Sequence, residues 1–347
     1  MKDDSLKRLT REEWDSLTEK FRDLSYRQCG SYAEAAARDI GANSEFVAVY
    51  RGGELVGLAN VRIKMVPLVG LGVAYVNYGP LTDHQNEFSA ELFGYCLDAL
   101  SREYVEGRHL LLRVIPPLRG GQWVKDQSAC LEAHNFKSLS RDKPHETFIL
   151  DLEGQLTAIH KNLDGKWRSD LTRAQKSNIE VTRSATAVDV DRFAVLFDEL
   201  SRKKGFSTRQ GIAFFRGVLE NASINKPIVV HLAWHDGVPV AGHIGSFVGD
   251  TAVYLLGAAN AKGRELRASY LLQWAVIEYA KSVGNLFYDL GGIDQETNPD
   301  VYRFKKRLNG RLVAEIAPHE RAPSGSIGRV LHFLEAAYNF RTSRRQA

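Results

Sequence analysis

Ile228-Val-Val-His-Leu-Ala-Trp-His-Asp-Gly-Val-Pro-Val-Ala-Gly-His-Ile-Gly-Ser-Phe247 reads as two β-runs, Ile228–His235 and Val238–Phe247, on either side of Asp236-Gly237. A two-residue Asp-Gly connection has the positive-φ tolerance that closes a tight hairpin. Working outward, a third strand is expected over Thr251–Gly257, a helix over Ala268–Val283 and a strand over Leu286–Leu290, with helices upstream at Val188–Lys204 and Gln210–Glu220. The first half repeats this order. Helices Glu12–Leu24 and Ser31–Ile40 precede β-runs Phe46–Tyr50 and Leu55–Ile63, which flank Arg51-Gly52-Gly53-Glu54. Strand Val73–Tyr78 then ends at Gly79-Pro80 and is followed by helix Phe88–Tyr104 and strand His109–Ile115. Matching points keep nearly constant separations: 184 residues from Gly53 to Gly237, 179 from Tyr75 to Tyr254, 177 from Gly107 to Gly284. A duplicated unit explains that constancy.

Helices, an antiparallel hairpin, a third strand, a crossing helix and a further strand make an α+β unit on one mixed sheet. That order is similar to the acetyltransferase-type (GNAT) fold, so two tandem copies are expected, which suits a chain of 347 residues. We place the first over residues 1–150, closing with strand Glu146–Leu150, and the second over 151–320, with the join near Asp151 where Gly154 interrupts the pattern. Residues 321–347 read as a Pro/Ser/Gly-rich link, an amphipathic helix over Arg329–Phe340 that packs on the body, and a basic tail with Arg341, Arg344 and Arg345.

Composition narrows the function. Hydrophobic residues make up 44% and charged residues 25%, an ordinary globular balance. No apolar run approaches the ~20 residues of a membrane span, and the amino terminus has no apolar leader, so a cytoplasmic protein is expected. Cys29, Cys96 and Cys130 are scattered without a CxxC pair and suit buried small side chains better than a disulfide framework or zinc site. Residues 1–150 carry a net charge of −2 and residues 151–347 one of +6. A basic second half favours a phosphate-bearing partner such as a nucleotide, CoA or tRNA.

Three segments of the second half carry a resemblance. The first runs Lys166-Trp167-Arg168, Leu171, Arg173-Ala174 and Lys176 into Asn178–Val181. The second is Tyr254-Leu255-Leu256-Gly257 with Ser269-Tyr270-Leu271-Leu272-Gln273-Trp274 and Glu278-Tyr279-Ala280. The third is Tyr288-Asp289-Leu290-Gly291-Gly292-Ile293 with Val301-Tyr302-Arg303-Phe304-Lys305-Lys306 and Asn309-Gly310. In this order and spacing they resemble the FemABX family, which moves amino acids from aminoacyl-tRNA onto peptidoglycan precursors. Tyr78-Gly79-Pro80 extends the likeness into the first half.

The resemblance implies an acceptor cleft in or between two acetyltransferase-like domains, and a lysine at the reaction centre, which by position is Lys305. It implies a substrate-contacting set of Tyr254, Tyr270, Gly291, Arg303, Phe304 and, in Ser201–Phe206, Lys204. It further implies aminoacyl-tRNA as donor, a cell-envelope precursor as acceptor, and no resident cofactor or metal. The chain departs from the family in two places: Ala36 stands where many relatives carry a lysine for the precursor's phosphates, and the second half has no inserted helical hairpin.

Elementary chemistry gives these residues work. Acyl transfer to an amine passes through a tetrahedral oxyanion, which a fixed cation or N–H donor stabilises. Lys305, on a helix expected over Asp300–Leu308 that Phe304 anchors in the core, suits that role. Asp289, at a strand end before Gly291-Gly292, is either a general base or amine-orienting group, or the acceptor for the N–H groups of the following turn. Gly257–Arg267, GAANAKGRELR, occupies the place where CoA-dependent acetyltransferases keep a pyrophosphate loop. Only Gly263 falls in register, although Lys262, Arg264 and Arg267 suit a phosphate. His231, His235 and His243 lie on paired strands but lack a carboxylate or Cys to complete a metal site. With no nucleophile elbow, Walker loop or HExxH, direct attack by the acceptor amine is expected. An acyl-CoA-dependent N-acyltransferase of the same fold is the rival reading.

Overall fold

The computed structural model describes residues 5–67, 70–82, 87–139, 145–204, 211–222, 226–325 and 328. The first half runs β1 (Ser5–Leu9), α1 (Arg11–Thr18), α2 (Gly30–Asp39), β2 (Asn43–Arg51), β3 (Glu54–Met65), β4 (Gly72–Asn77), α3 (Ala90–Leu100), β5 (Leu111–Ile115), α4 (Val124–Ala133) and β6 (Lys137–Ser138). Next come β7 (Glu146–Asp151), α5 (Leu156–Asn162), α6 (Gly165–Gln175), β8 (Glu180–Ser184), α7 (Ala187–Lys204) and α8 (Ile212–Glu220). The second half closes with β9 (Val229–His235), β10 (Val238–Ser246), β11 (Thr251–Ala259), α9 (Ala261–Glu265), α10 (Ala268–Ser282), β12 (Phe287–Gly292), α11 (Pro299–Lys306), β13 (Arg311–Ala314) and β14 (His319–Arg321).

The described strands form two seven-stranded sheets, ordered β1-β2-β3-β4-β5-β14-β6 and β13-β7-β12-β11-β10-β9-β8. In each, an antiparallel meander (β2-β3-β4 or β9-β10-β11) meets its next strand in parallel, β4 with β5 and β11 with β12. The expected hairpin turn is present, with Asp236 at φ 50° and Gly237 at φ 72°. This is the duplicated α+β architecture that the sequence predicts. Helix Phe88–Tyr104 stops earlier, since α3 ends at Leu100 and Ser101–Gly107 winds as a π-helix.

The domain boundary differs from the expectation in one respect. Glu146–Asp151, expected to close the first unit, lies in the second sheet, antiparallel to both β12 and β13. In return β14, from the end of the second unit, enters the first sheet between β5 and β6. The two lobes thus exchange a strand, and a cut at 150/151 does not separate the sheets. The physical reason is burial: Phe148 and Leu150 pack in the second-lobe core with Trp167, Trp274, Ile277, Tyr288 and Leu290. A second layer ties the lobes together, because Tyr32 and Ala36 of α2 pack in one cluster with Phe193 and Phe197 of α7 and Phe215 of α8. The expected helix Arg329–Phe340 and the basic tail lie outside the described residues.

Candidate active site

The site begins where the pairing of β11 and β12 ends. They pair in parallel over three rows only, Thr251↔Phe287, Ala252↔Tyr288 and Val253↔Asp289. Beyond Val253 the regular pairing ends, although Gly291 of β12 still lies close against the Tyr254 carbonyl of β11. The equivalent strands of the first lobe stay zipped over five rows, Val73 to Asn77 against Leu111 to Ile115. There Gly79 N donates to Ile115 O at 3.1 Å, which continues the pairing. The parallel pairing is therefore shorter in the second lobe than in the first.

Three residues of the third motif shape this end of the pairing. Gly291 has φ +70°, and a Cβ there would lie 2.5 Å from the Tyr254 carbonyl oxygen, so only glycine fits. Its neighbours' carbonyls receive Lys305, whose Nζ donates to Gly292 O at 2.9 Å and to Gly291 O at 3.4 Å. The same ammonium stands 4.8 Å from the centre of the Tyr254 ring, a cation–π geometry. Lys305 is only 5% exposed, and burial lowers its pKa from 10.5 to about 8, partly opposed by the charge of Asp289. A lysine so tuned is still mostly an ammonium at neutral pH and surrenders its proton readily.

Asp289 sits on the last parallel row. Its Oδ1 accepts from Gly291 N at 2.8 Å and from the Thr147 hydroxyl of β7. The turn-bonding role foreseen for this carboxylate is therefore present, while Oδ2 makes none of these bonds. Burial raises its pKa, and the bonds from Thr147 and Gly291 work in the opposite sense. Behind Tyr254 lies a buried polar stack. His243 meets the Tyr254 ring edge-on at 4.7 Å. Gln273 Nε2 donates to the Tyr288 hydroxyl at 2.9 Å, which leaves that hydroxyl's proton for His243 Nε2 at 3.1 Å. Burial, then His231 and Lys305, hold the His243 pKa well below its ordinary value, so the imidazole is neutral. Gly257 makes room for this arrangement, because a side chain there would overlap the Tyr254 hydroxyl.

The remaining expected residues divide. Phe304 and Tyr270 join Trp167 in a ring cluster beside Lys305, with Tyr270 to Phe304 at 5.2 Å and Trp167 to Tyr270 at 5.2 Å. Arg303 points away: it is exposed and ion-paired with Asp300 on its own helix. The 3.6-residue period explains this, since two steps back from Lys305 is the opposite face of a helix. Lys204 ends α7, and its side chain lies outside the described residues. Gly263 belongs to a short helix, α9, and a Cβ there would overlap the Val240 carbonyl of β10. It is glycine for packing. His231 and His243 lie side by side at 5.8 Å, both buried. Ala36 is 2% exposed within the interlobe apolar cluster and offers no charge to the cleft.

Several interacting groups at the join between the lobes escaped the sequence reading. Tyr78, at φ +58°, donates to Glu315 Oε1 at 2.7 Å across the lobes. The Arg27 guanidinium lies 4.0 Å from the Tyr78 ring centre and 4.6 Å from that of Tyr26. Its pKa is raised, with burial opposing the favourable charges of Tyr26, Tyr78, Tyr32 and Glu315. Nearby, a small cavity between the lobes is lined by Leu24, Tyr78, Leu118, Arg119, Asp250 and Asp289. A buried ion pair, Arg119 with Asp250, spans it. Tyr78-Gly79-Pro80 was the available signal for this corner, but nothing near it in sequence marks Arg27 or Glu315.

Comparison with known proteins places this geometry. Residues 159–306 match the acetyltransferase (GNAT) domain family. The lipid II:glycine glycyltransferase of Staphylococcus saprophyticus is 22% identical over 337 residues, covering 76% of this chain and 80% of that protein. The enzyme of the same name from Staphylococcus aureus is 20% identical over 377 residues, covering 86% and 88%. The crystal structure of FemX superposes with a TM-score of 0.79 at 19% identity, covering 95% of this chain and 99% of that one. In sequence and fold the chain is similar to these FemABX-type transferases. The tandem fold is kept throughout, and Tyr254, Asp289, Gly291 and Lys305 all fall within the matched domain. Among the described residues no helix is long and apolar enough to cross a membrane.

Proposed function

We propose that this chain moves an aminoacyl group from aminoacyl-tRNA to an amine of a cell-wall precursor, by direct attack of the amine. The observation that carries the reading is Lys305, a buried cation held where the β11–β12 pairing ends by two carbonyls and a ring face. The amine nitrogen bonds to the ester carbonyl carbon, the carbonyl π electrons move onto oxygen, and Lys305 donates a hydrogen bond to that oxyanion. Collapse breaks the bond to the ribose oxygen, which takes up a proton. The carboxylate of Asp289, fixed through Oδ1 by Thr147 and Gly291, keeps Oδ2 to orient the incoming ammonium and receive its proton.

The relatives' names point to glycine as the group transferred and to lipid II as the acceptor class. The acyl-CoA alternative finds less support, because only Gly263 falls in register with a pyrophosphate loop and that glycine is needed for packing against Val240. The test is a donor screen. Purified protein is given lipid II with radiolabelled glycyl-tRNA, a mixed aminoacyl-tRNA pool, or acetyl-CoA. Label should pass from a charged tRNA to the precursor, and the rate should drop in Lys305→Ala. Transfer from acetyl-CoA with indifference to every charged tRNA overturns the proposal.

A further inference from the structure

Positive charge is concentrated on three helices around Lys305. Residues 161–176, 261–267 and 299–307 together hold twelve Lys or Arg against four Asp or Glu, a net charge of +8, whereas the whole chain carries only +4. The rest of the molecule is therefore net acidic, and the basic residues are segregated rather than scattered.

Tertiary contacts bring these segments together. Asp164 N, at the start of α6, donates to Arg307 O at the end of α11 at 3.0 Å. Arg267, the residue before α10, is ion-paired with Asp170 of α6 at 3.2 Å. Trp167 of α6, Tyr270 of α10 and Phe304 of α11 share one ring cluster. The two aspartates of residues 161–176 are engaged, Asp164 in capping α6 and the buried Asp170 with Arg267. Lys166 and Arg173, both exposed, stand seven residues apart on the same flank of α6 as Asp170, the flank turned toward Arg267. Lys176 continues the row, so that α6 alone displays positive charge along about 15 Å. Exposed Arg264 on α9 and Lys306 on α11 stand at the other two sides of the hub. Phe304, at its centre, is the residue before Lys305.

We infer that this three-helix face docks the phosphate backbone of the donor RNA, delivering its acylated end past Phe304 to Lys305. The inference rests on the aminoacyl-tRNA reading above and adds the surface to it. A duplex passes several phosphates of each strand over 15 Å, so a row of cations at this spacing engages a stem without reading its sequence.

The test is binding of unfractionated tRNA, by fluorescence anisotropy, across a series of salt concentrations. The proteins are wild type, Lys166→Glu/Arg173→Glu/Lys306→Glu, and the same triple change to Gln, with circular dichroism confirming that each folds. Wild type should bind with an affinity that falls steeply with salt. Each triple variant should bind at least tenfold more weakly, and the slope of log K against log salt should fall by about 2 to 3, the loss expected for three phosphate contacts. Equal binding by wild type and both variants overturns the surface while leaving the donor reading intact. Failure of wild type to bind any tRNA, alongside no transfer from charged tRNA, overturns both. Vesicles containing anionic phosphatidylglycerol serve as the second probe. Their loss in the variants, with tRNA binding unchanged, overturns the inference in favour of a membrane-facing surface.

Discussion

The Nζ of Lys305 stands 4.8 Å from the centre of the Tyr254 ring and 2.9 Å from the Gly292 carbonyl, so its charge is solvated by a π-face and backbone dipoles rather than by water. This solvation is incomplete, as the lowered pKa of about 8 records. A site that keeps a charge it would be more stable without is keeping it for function. Replacing Lys305 by Met removes the burial penalty while preserving the unbranched shape. Stability at pH 7 should rise, by up to about 3 kcal/mol for a shift of this size, while transfer falls by about 10²–10³-fold. Between about pH 8 and pH 10.5 the unfolded chain holds a proton that the folded chain has released. Wild-type stability should therefore climb through that window, and the Met variant's advantage should shrink with it. Urea unfolding at pH 7 and pH 10, alongside single-turnover transfer, checks both halves.

The same pKa predicts the pH profile. The oxyanion is met by the protonated lysine, so the wild-type rate should acquire a descending limb near pH 8. Lys305→Arg, whose guanidinium stays protonated, should keep a fraction of the activity and lose that limb over the accessible range. Rates measured from pH 6 to pH 9.5 with saturating donor make the comparison, and an unchanged limb in the Arg variant would assign it to a different group.

Gly291 is the backbone counterpart of this lysine. With φ +70° and the Tyr254 carbonyl 2.5 Å from any added Cβ, Gly291→Ala should lose about 1–3 kcal/mol of stability and push the strand away from Lys305. Transfer should fall by more than the folded fraction does, which activity normalised to folded protein will read.

How far the sequence reaches is visible in these residues. The hairpin around Asp236-Gly237 and the constant spacing of its twin marked the duplicated architecture, because turn chemistry and periodicity act locally. The exchange of β7 and β14 between sheets was invisible: a buried strand reads the same in either sheet, and its partner is chosen by tertiary packing. Lys305, Asp289, Tyr254 and Gly291 were legible because they fall within compact motifs of one lobe. Thr147, bonded to Asp289 from 142 residues away, and Glu315, bonded to Tyr78 from 237 away, were not. Arg303 was misjudged because motif membership does not tell which face of a helix a residue occupies.

Tyr78 and Glu315 test the join between lobes. Tyr78→Phe removes the donor of a 2.7 Å bond that crosses the cleft, a loss of about 1 kcal/mol. Breaking the buried pair with Asp250→Ala removes the carboxylate that balances the buried Arg119 charge, and should lose about 3–5 kcal/mol. If the cleft between the lobes receives the acceptor, Tyr78→Phe should raise the KM for the precursor with little change in that for the donor. A donor-only effect would place the acceptor elsewhere.

Gly263 separates the two donor chemistries by a different route. Were it the surviving glycine of a CoA cradle, Gly263→Ala would leave the fold intact and weaken acyl-CoA binding alone. In the structure its hydrogen faces the Val240 carbonyl of β10, a backbone atom that cannot swing aside, while Asn260 caps the turn by accepting from Gly263 N at 2.9 Å. Gly263→Ala should therefore lower stability by about 1–3 kcal/mol, and acetyl-CoA should shift the melting temperature of neither protein. Thermal melts of both, with and without millimolar acetyl-CoA, decide between the readings: an unchanged melting temperature in the variant, joined to a CoA-dependent shift in wild type, would restore the CoA chemistry and unseat tRNA as the donor.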